Sequence, residues 1–175
     1  MRISLTDEQV DYCLELGMAR HDAKDKSFRN RDVGKFQNQS KHTLADYVKV
    51  DPQYMAHFIG VLGEMAWSIH TGEALDEEIY AVRDNGEDFE GTEVKTLTYF
   101  GRGEPELKIP ESEYKERQSV QRYVLARVDP KSPNDVELLG KIDREIFDVL
   151  KEKKQYGVSK PKNFIVPQSS MERVE

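Results

Sequence analysis

Cysteine occurs once in the 175 residues, at Cys13. That excludes an intrachain disulfide framework and makes a reducing compartment the default. Long apolar runs are missing: nothing approaches the ~20 residues of a membrane-spanning helix. The opening MRISLTDEQV also lacks the apolar stretch of a signal peptide. A cytoplasmic protein without a membrane partner is therefore expected. A surplus of positive charge is lacking as well. Lys and Arg total 26 against 33 Asp and Glu, a net charge of −7, whereas phosphate contact normally uses the opposite balance. The cations are unevenly spread, however. Residues 20–41 hold Arg20, Lys24, Lys26, Arg29, Arg31, Lys35 and Lys41 against Asp22, Asp25 and Asp32. Two readings of that stretch stand side by side, a local basic face and a solvated charged loop.

What is present suits one folded domain over 1–175. A hydrophobic fraction of 37% beside a charged fraction of 34% is polar but sufficient for a core. Thr6-Asp7-Glu8-Gln9 reads as a capping box opening a helix, with Val10, Cys13, Leu14, Gly17, Met18 and His21 on one stripe. Residues 22–43 show no period and read as a long loop. Leu44 to Val50 reads as a short helix that ends the helical N-terminal region 1–50. The clearest helix is 54–71, where Phe58, Val61, Leu62, Met65 and Ile69 keep helical spacing and Gly72 stops it. Gly60 and Gly63 inside it each cost about 1 kcal/mol relative to Ala, so close approach of a backbone or ligand is expected there.

Beyond Gly72 the period changes to that of strands. Ile79 to Val82 reads as a strand. Asp88-Phe89 and Thr92 to Leu97 read as two strands joined by a two-residue turn at Glu90-Gly91. Pro110 to Arg117 suggests a short helix, and Val120 to Val128 a strong strand. Pro130 to Asn134 marks a turn, Val136 to Ile142 a second strand, and Asp143 the cap of a helix carrying Ile146, Val149 and Leu150. The stretch 151–175 reads as a charged C-terminal arm. The order implies an α/β fold with a mixed sheet.

The Glu90-Gly91 turn carries the chemistry. It sets Asp88 opposite Glu93 on one face, and Lys95, two residues on, shares that face. Opposed like charges destabilise a hairpin. A hard cation such as Mg²⁺ or Mn²⁺ relieves that, because it takes oxygen ligands. Lys95 can then lower the pKa of a bound water or stabilise charge on a phosphate. The competing reading is an exposed hairpin with a cross-strand Glu/Lys pair. Glu64, by helical projection, lies on the flank of the apolar stripe near Gly60, within reach of a sheet edge; otherwise it is a boundary residue making a surface pair.

These residues resemble a known family. Gly60-Val-Leu-Gly63-Glu64-Met-Ala66 resembles the G-x-x-G-E-x-A helix of the PD-(D/E)XK nuclease superfamily. Asp84-Asn-Gly86-Glu-Asp88-Phe89 and Glu93-Val94-Lys95-Thr96 resemble its metal-binding strands. The resemblance spans residues 58 to 150 and is greatest to small nucleases of bacteriophage type, with Gly140-Lys141-Ile142 standing where related chains often carry G-W-I. It implies a restriction-endonuclease-like core, a mixed central β-sheet flanked by α-helices. It also implies hydrolysis of DNA phosphodiester bonds, most simply as an endonuclease, in the cytoplasm of a host cell if the chain is phage-encoded. By that resemblance Asp88 and Glu93 are metal ligands helped by the Val94 carbonyl, Glu64 is an additional ligand, Lys95 is the catalytic lysine, and Thr96 supports the site or contacts phosphate. Two departures stand out. The connection between Asp88 and Glu93 is short, and a Q-x-x-x-Y motif is displaced, since Gln118 is followed by Arg122 and Tyr123 falls one position late.

Other residues carry weaker signals. Arg102, Lys108, Lys115 and Arg117 are candidate DNA contacts, read against ordinary solvated charge. His21, His42, His57 and His70 are too scattered for a zinc set. Cys13 lies on a core stripe with no paired histidine. Trp67, projecting away from the apolar stripe, is expected on a second packing surface or a homodimer contact. The alternative to a nuclease is a non-catalytic nucleic-acid-binding or assembly protein on the same scaffold.

Overall fold

In the computed structural model the described residues are 1–28, 39–79, 87–98, 103–158 and 161–175, with side chains of 24–28 and 39–42 left aside. Strand β1 (Arg2–Ser4) leads into helix α1 (Asp7–Phe28), followed by α2 (Gln39–Val48) and α3 (Met55–Thr71). Then come β2 (Thr92–Thr98), β3 (Glu106–Pro110), α4 (Glu111–Glu116), β4 (Arg122–Asp129), β5 (Ser132–Asp143), α5 (Arg144–Leu150), β6 (Glu152–Gln155) and β7 (Lys162–Pro167).

Local signals explain the boundaries. The capping box forms: the Gln9 amide donates to Thr6 Oγ1 at 3.2 Å and the Thr6 amide to Gln9 Oε1 at 2.9 Å. Helix α1 then runs to Phe28, well into the stretch read as a loop, while 29–38 lie outside the described residues. Asp51 caps the short turn Pro52–Tyr54 by accepting the Gln53 amide at 2.9 Å. Gly72, at φ 78°, closes α3 in the left-handed conformation that glycine adopts without penalty.

Four strands form a mixed sheet in the order β1-β5-β4-β2, antiparallel except for the parallel β4/β2 pair. Strand β4 alternates with period two and is buried on both faces. Val124, Ala126 and Val128 join α1, α2 and α3 in one core, while Tyr123 and Leu125 join Leu107, Ile109, Phe147 and Val166 in a second. The architecture is therefore mixed α/β, with helices on one face of the central sheet. The other face is covered by α5 and a second, antiparallel sheet of order β3-β7-β6.

That second sheet corrects the expectation of a charged arm over 151–175. β6 is Glu-Lys-Lys-Gln, exposed throughout, and it is a strand because it pairs with β7 and not because of any apolar pattern. The expected strand at 79–82 is not described: Ile79 is irregular and 80–82 lie outside the described residues. In α5 the expected apolar stripe faces outward. Ile146, Val149 and Leu150 are exposed, and Phe147 is the buried anchor. Asp143 occupies the cap position without a capping hydrogen bond and pairs with Arg122 at 2.8 Å instead. Trp67 is buried in the chain's own core, since α3 packs against both α1 and the sheet, and Ile69 is the exposed member of the expected stripe. Among the described residues no helix is long and apolar enough to cross a membrane.

Candidate functional site

The Glu90-Gly91 turn forms with the register read from the sequence. Phe89 bridges Thr92, with the Thr92 amide donating to the Phe89 carbonyl at 2.9 Å. Gly91 takes φ 65°, a conformation that favours glycine. Its carbonyl accepts the amides of Gln121 and Arg122 at 2.7 and 2.9 Å, which ties the turn to the start of β4. The expected first strand goes no further than this bridge. The Asp88 carboxylate, not a neighbouring backbone carbonyl, takes the Val94 amide at 2.7 Å. From there β2 continues by pairing with β4.

Asp88, Glu93, Val94 and Lys95 line one cavity of about 260 Å³ with Glu64, Thr96 and Arg117. Helix α3 presents His57, Gly60 and Glu64 to it, at i, i+3 and i+7 on one face. Gly60 leaves that wall open: a Cβ there would meet only Glu64 Oε1, at 3.7 Å. Gly63 does the opposite, since a Cβ would stand 1.9 Å from Thr96 Oγ1. The missing side chain is what lets β2 lie against α3. The two glycines of the helix thus serve two purposes, cavity wall and close packing.

The carboxylates are deeply placed, with Glu64 6% and Glu93 1% exposed. Burial, the carboxylates of Glu64 and Glu93, and partial relief from the Val94 amide and Lys95 leave the Asp88 carboxyl pushed up to about 8. Lys95 Nζ lies 2.6 Å from Glu93 Oε1 and 2.9 Å from Glu113 Oε2. Burial works to lower its pKa, but Glu93 and Glu113 outweigh burial and raise it, so the ammonium stays charged. Arg117 also pairs with Glu93 Oε1. The other oxygen, Glu93 Oε2, is buried and has no hydrogen-bond partner among the described residues, and the same is true of Thr96 Oγ1.

Three participants carry no sequence signal of a role here. Arg20, from α1, donates to Glu64 Oε2 at 2.7 Å and to the Asp76 carbonyl at 2.7 Å. Glu113, from α4, shares Lys95 with Glu93. His57 lines the cavity and packs edge-on against His21, with ring centroids 5.6 Å apart. Arg20 and Glu64 are 44 residues apart, so helical projection of either segment could not join them.

Of the candidate DNA contacts, Arg117 and Thr96 stand at the cavity. Lys108 lines a neighbouring one. Lys115 is not brought to either: its side chain is 66% exposed and pairs with Glu111 at 2.8 Å. Arg102 lies outside the described residues. Cys13 is buried and its thiol pushed up to about 12, chiefly by burial, which suits a packing role.

The donor set fits a hard cation in its chemistry. Five acidic residues, Glu64, Asp76, Glu87, Asp88 and Glu93, line one cavity, one carboxylate oxygen is buried without a partner among the described residues, and burial together with the neighbouring carboxylates raises the pKa of Asp88. As the side chains stand, however, cations already engage Glu64 and Glu93, and among the described residues no group of three His, Cys, Asp or Glu is arranged to hold an ion. Comparisons with protein-family models, curated proteins and solved structures yield no significant match.

Proposed function

We propose that this protein is a divalent-metal-dependent nuclease of PD-(D/E)XK type, with a restriction-endonuclease-like core, acting on DNA as an endonuclease. One observation carries the reading. Glu64, Asp88 and Glu93 share a cavity with Lys95, and burial, with the neighbouring carboxylates adding to it, leaves the Asp88 carboxyl pushed up to about 8. Buried carboxylates cost folding free energy even with Arg20, Lys95 and Arg117 beside them, and a bound cation would offset that cost.

Asp88 and Glu93 would hold Mg²⁺ or Mn²⁺, with the Val94 carbonyl and Glu64 completing the oxygen donors. When bound, the ion supplies Lewis acidity and a water of lowered pKa. Lys95, charged and beside Glu93, orients the attacking water and stabilises negative charge on the phosphate. Arg117 neutralises charge at the same edge, and the Thr96 hydroxyl supports the site from β2.

A second reading has its own observation. Arg20 on Glu64, and Arg117 with Lys95 on Glu93, form a charge network that a non-catalytic binding protein would keep for structure. Plasmid nicking with Mg²⁺ or Mn²⁺ separates the two. A nuclease nicks only with metal and loses activity in both Asp88→Ala and Lys95→Ala. Activity untouched by either substitution removes these residues from the site, and no activity on any DNA favours the binding protein.

A further inference from the structure

A second cavity, of about 640 Å³, adjoins the first, and Lys95 and Thr96 line both. It follows β2 through Leu97 and Thr98 and ends at Glu106 and Lys108 on the second sheet. Its volume is within the range of small-ligand sites. The far end carries an uneven charge arrangement. Glu106 accepts from Lys108 at 3.3 Å, from Lys154 at 3.1 Å and from the Tyr156 hydroxyl at 2.6 Å. The ammonium groups of Lys108 and Lys154 lie 4.5 and 4.9 Å from the Tyr156 ring centroid. Two half-exposed cations thus share one carboxylate and one aromatic ring, which fixes them side by side with positive charge in excess.

We propose that a single polynucleotide strand runs from the Glu93–Lys95 cavity along β2 to the Lys108–Lys154 pair, which receives a backbone phosphate flanking the reacting one. The inference rests on reading the first cavity as a nucleic-acid site. Continuity argues for the path, since the same two residues line both cavities. Depth argues for a single strand: with Glu93 1% exposed, the reacting phosphate has to enter a cavity, which an extended strand does directly and a duplex such as a plasmid does only where it is locally splayed. Charge argues for the terminus. On a chain of net charge −7, Lys108 and Lys154 meet there on the one carboxylate of Glu106, with Glu104 also on the cavity wall, and their local excess of positive charge favours a phosphate. Tyr156 acts as a positioning residue for the two ammonium groups.

The test is fluorescence anisotropy of a labelled twelve-residue oligothymidylate with the full chain in EDTA, titrated across salt. The expected result is binding of the single strand in preference to a blunt duplex. For Lys108→Gln/Lys154→Gln, the slope of log K against log salt should shrink by about 0.7, the contribution of the one single-strand phosphate that the pair receives. Lys131→Gln, on the β4–β5 turn, should leave the slope unchanged. An unchanged slope in the double variant overturns the path, as does equal affinity for the duplex. The outcomes for the two proposals are separable. Salt-sensitive binding through Lys108 and Lys154 without metal-dependent nicking upholds the path and removes the nuclease reading. Nicking without oligonucleotide binding removes the path alone.

Discussion

Asp88 reaches across the Glu90-Gly91 turn to accept the Val94 amide at 2.7 Å, and so stands in the cavity with Glu64 and Glu93. Its carboxyl is pushed up to about 8 from an ordinary value of 3.8. A raised folded-state pKa contributes stability that is complete below the unfolded value and is lost as pH rises through the folded one. The window is therefore about pH 4 to 8. In EDTA, the Tm should fall across that window more for the wild type than for Asp88→Asn, whose amide oxygen can still accept from Val94. Mn²⁺ should raise the Tm more at pH 9 than at pH 6, because below about 8 the ion must displace a proton. Differential scanning fluorimetry across pH checks both, and a stabilisation independent of pH contradicts them.

Gly63 and Gly60 should respond oppositely to alanine. Gly63→Ala drives a Cβ to 1.9 Å from Thr96 Oγ1, and overpacking of this kind costs about 1–3 kcal/mol. Gly60→Ala meets only Glu64 Oε1 at 3.7 Å, and should gain up to about 1 kcal/mol from helix propensity. Urea denaturation of the two variants measures the difference.

Arg20→Ala removes the guanidinium 2.7 Å from a Glu64 side chain that is 8% exposed. Losing one partner of a buried pair costs about 3–5 kcal/mol. The Arg20→Ala/Glu64→Gln double variant should recover part of that, giving a coupling energy above about 1 kcal/mol in a double-mutant cycle. Additive losses would mean that the pair is not coupled.

Lys95→Ala should lower the nicking kcat by about 10²–10³, the effect of removing one preorganised electrostatic group. KM should change little, because the ammonium acts on charge that develops during reaction. The fold should survive, since Arg117 still engages Glu93. Steady-state nicking beside a melting curve separates the two effects.

How much the sequence revealed depended on how local the signal was. The Thr6/Gln9 capping box, α3 with its Gly72 stop, and the Glu90-Gly91 turn are written within a few residues each, and each formed. β6 was illegible because Glu-Lys-Lys-Gln buries nothing and gains strand geometry from β7 alone. Trp67 was legible as lying off the apolar stripe, and of its two expected settings the structure shows the second packing surface, because α3 packs against both α1 and the sheet. Ile146, Val149 and Leu150 keep helical spacing yet face outward, because Phe147 anchors α5. At the candidate site, the Phe89–Thr92 register of the turn could be read from the sequence, whereas in place of the Asp88–Glu93 pairing expected beyond it the Asp88 carboxylate accepts the Val94 amide. Arg20, which reaches the cavity from α1, and Glu113, which reaches Lys95 from α4, could not be read, since each comes from another element of the chain.

The central claim is that Asp88 and Glu93 hold a divalent cation. Anomalous diffraction from a crystal soaked in Mn²⁺ tests it most directly. The account predicts a peak bounded by the Asp88 and Glu93 carboxylates and the Val94 carbonyl, lost in Asp88→Asn. An absence of density there at saturating Mn²⁺, with Arg20 still on Glu64 and Arg117 still on Glu93, would contradict it.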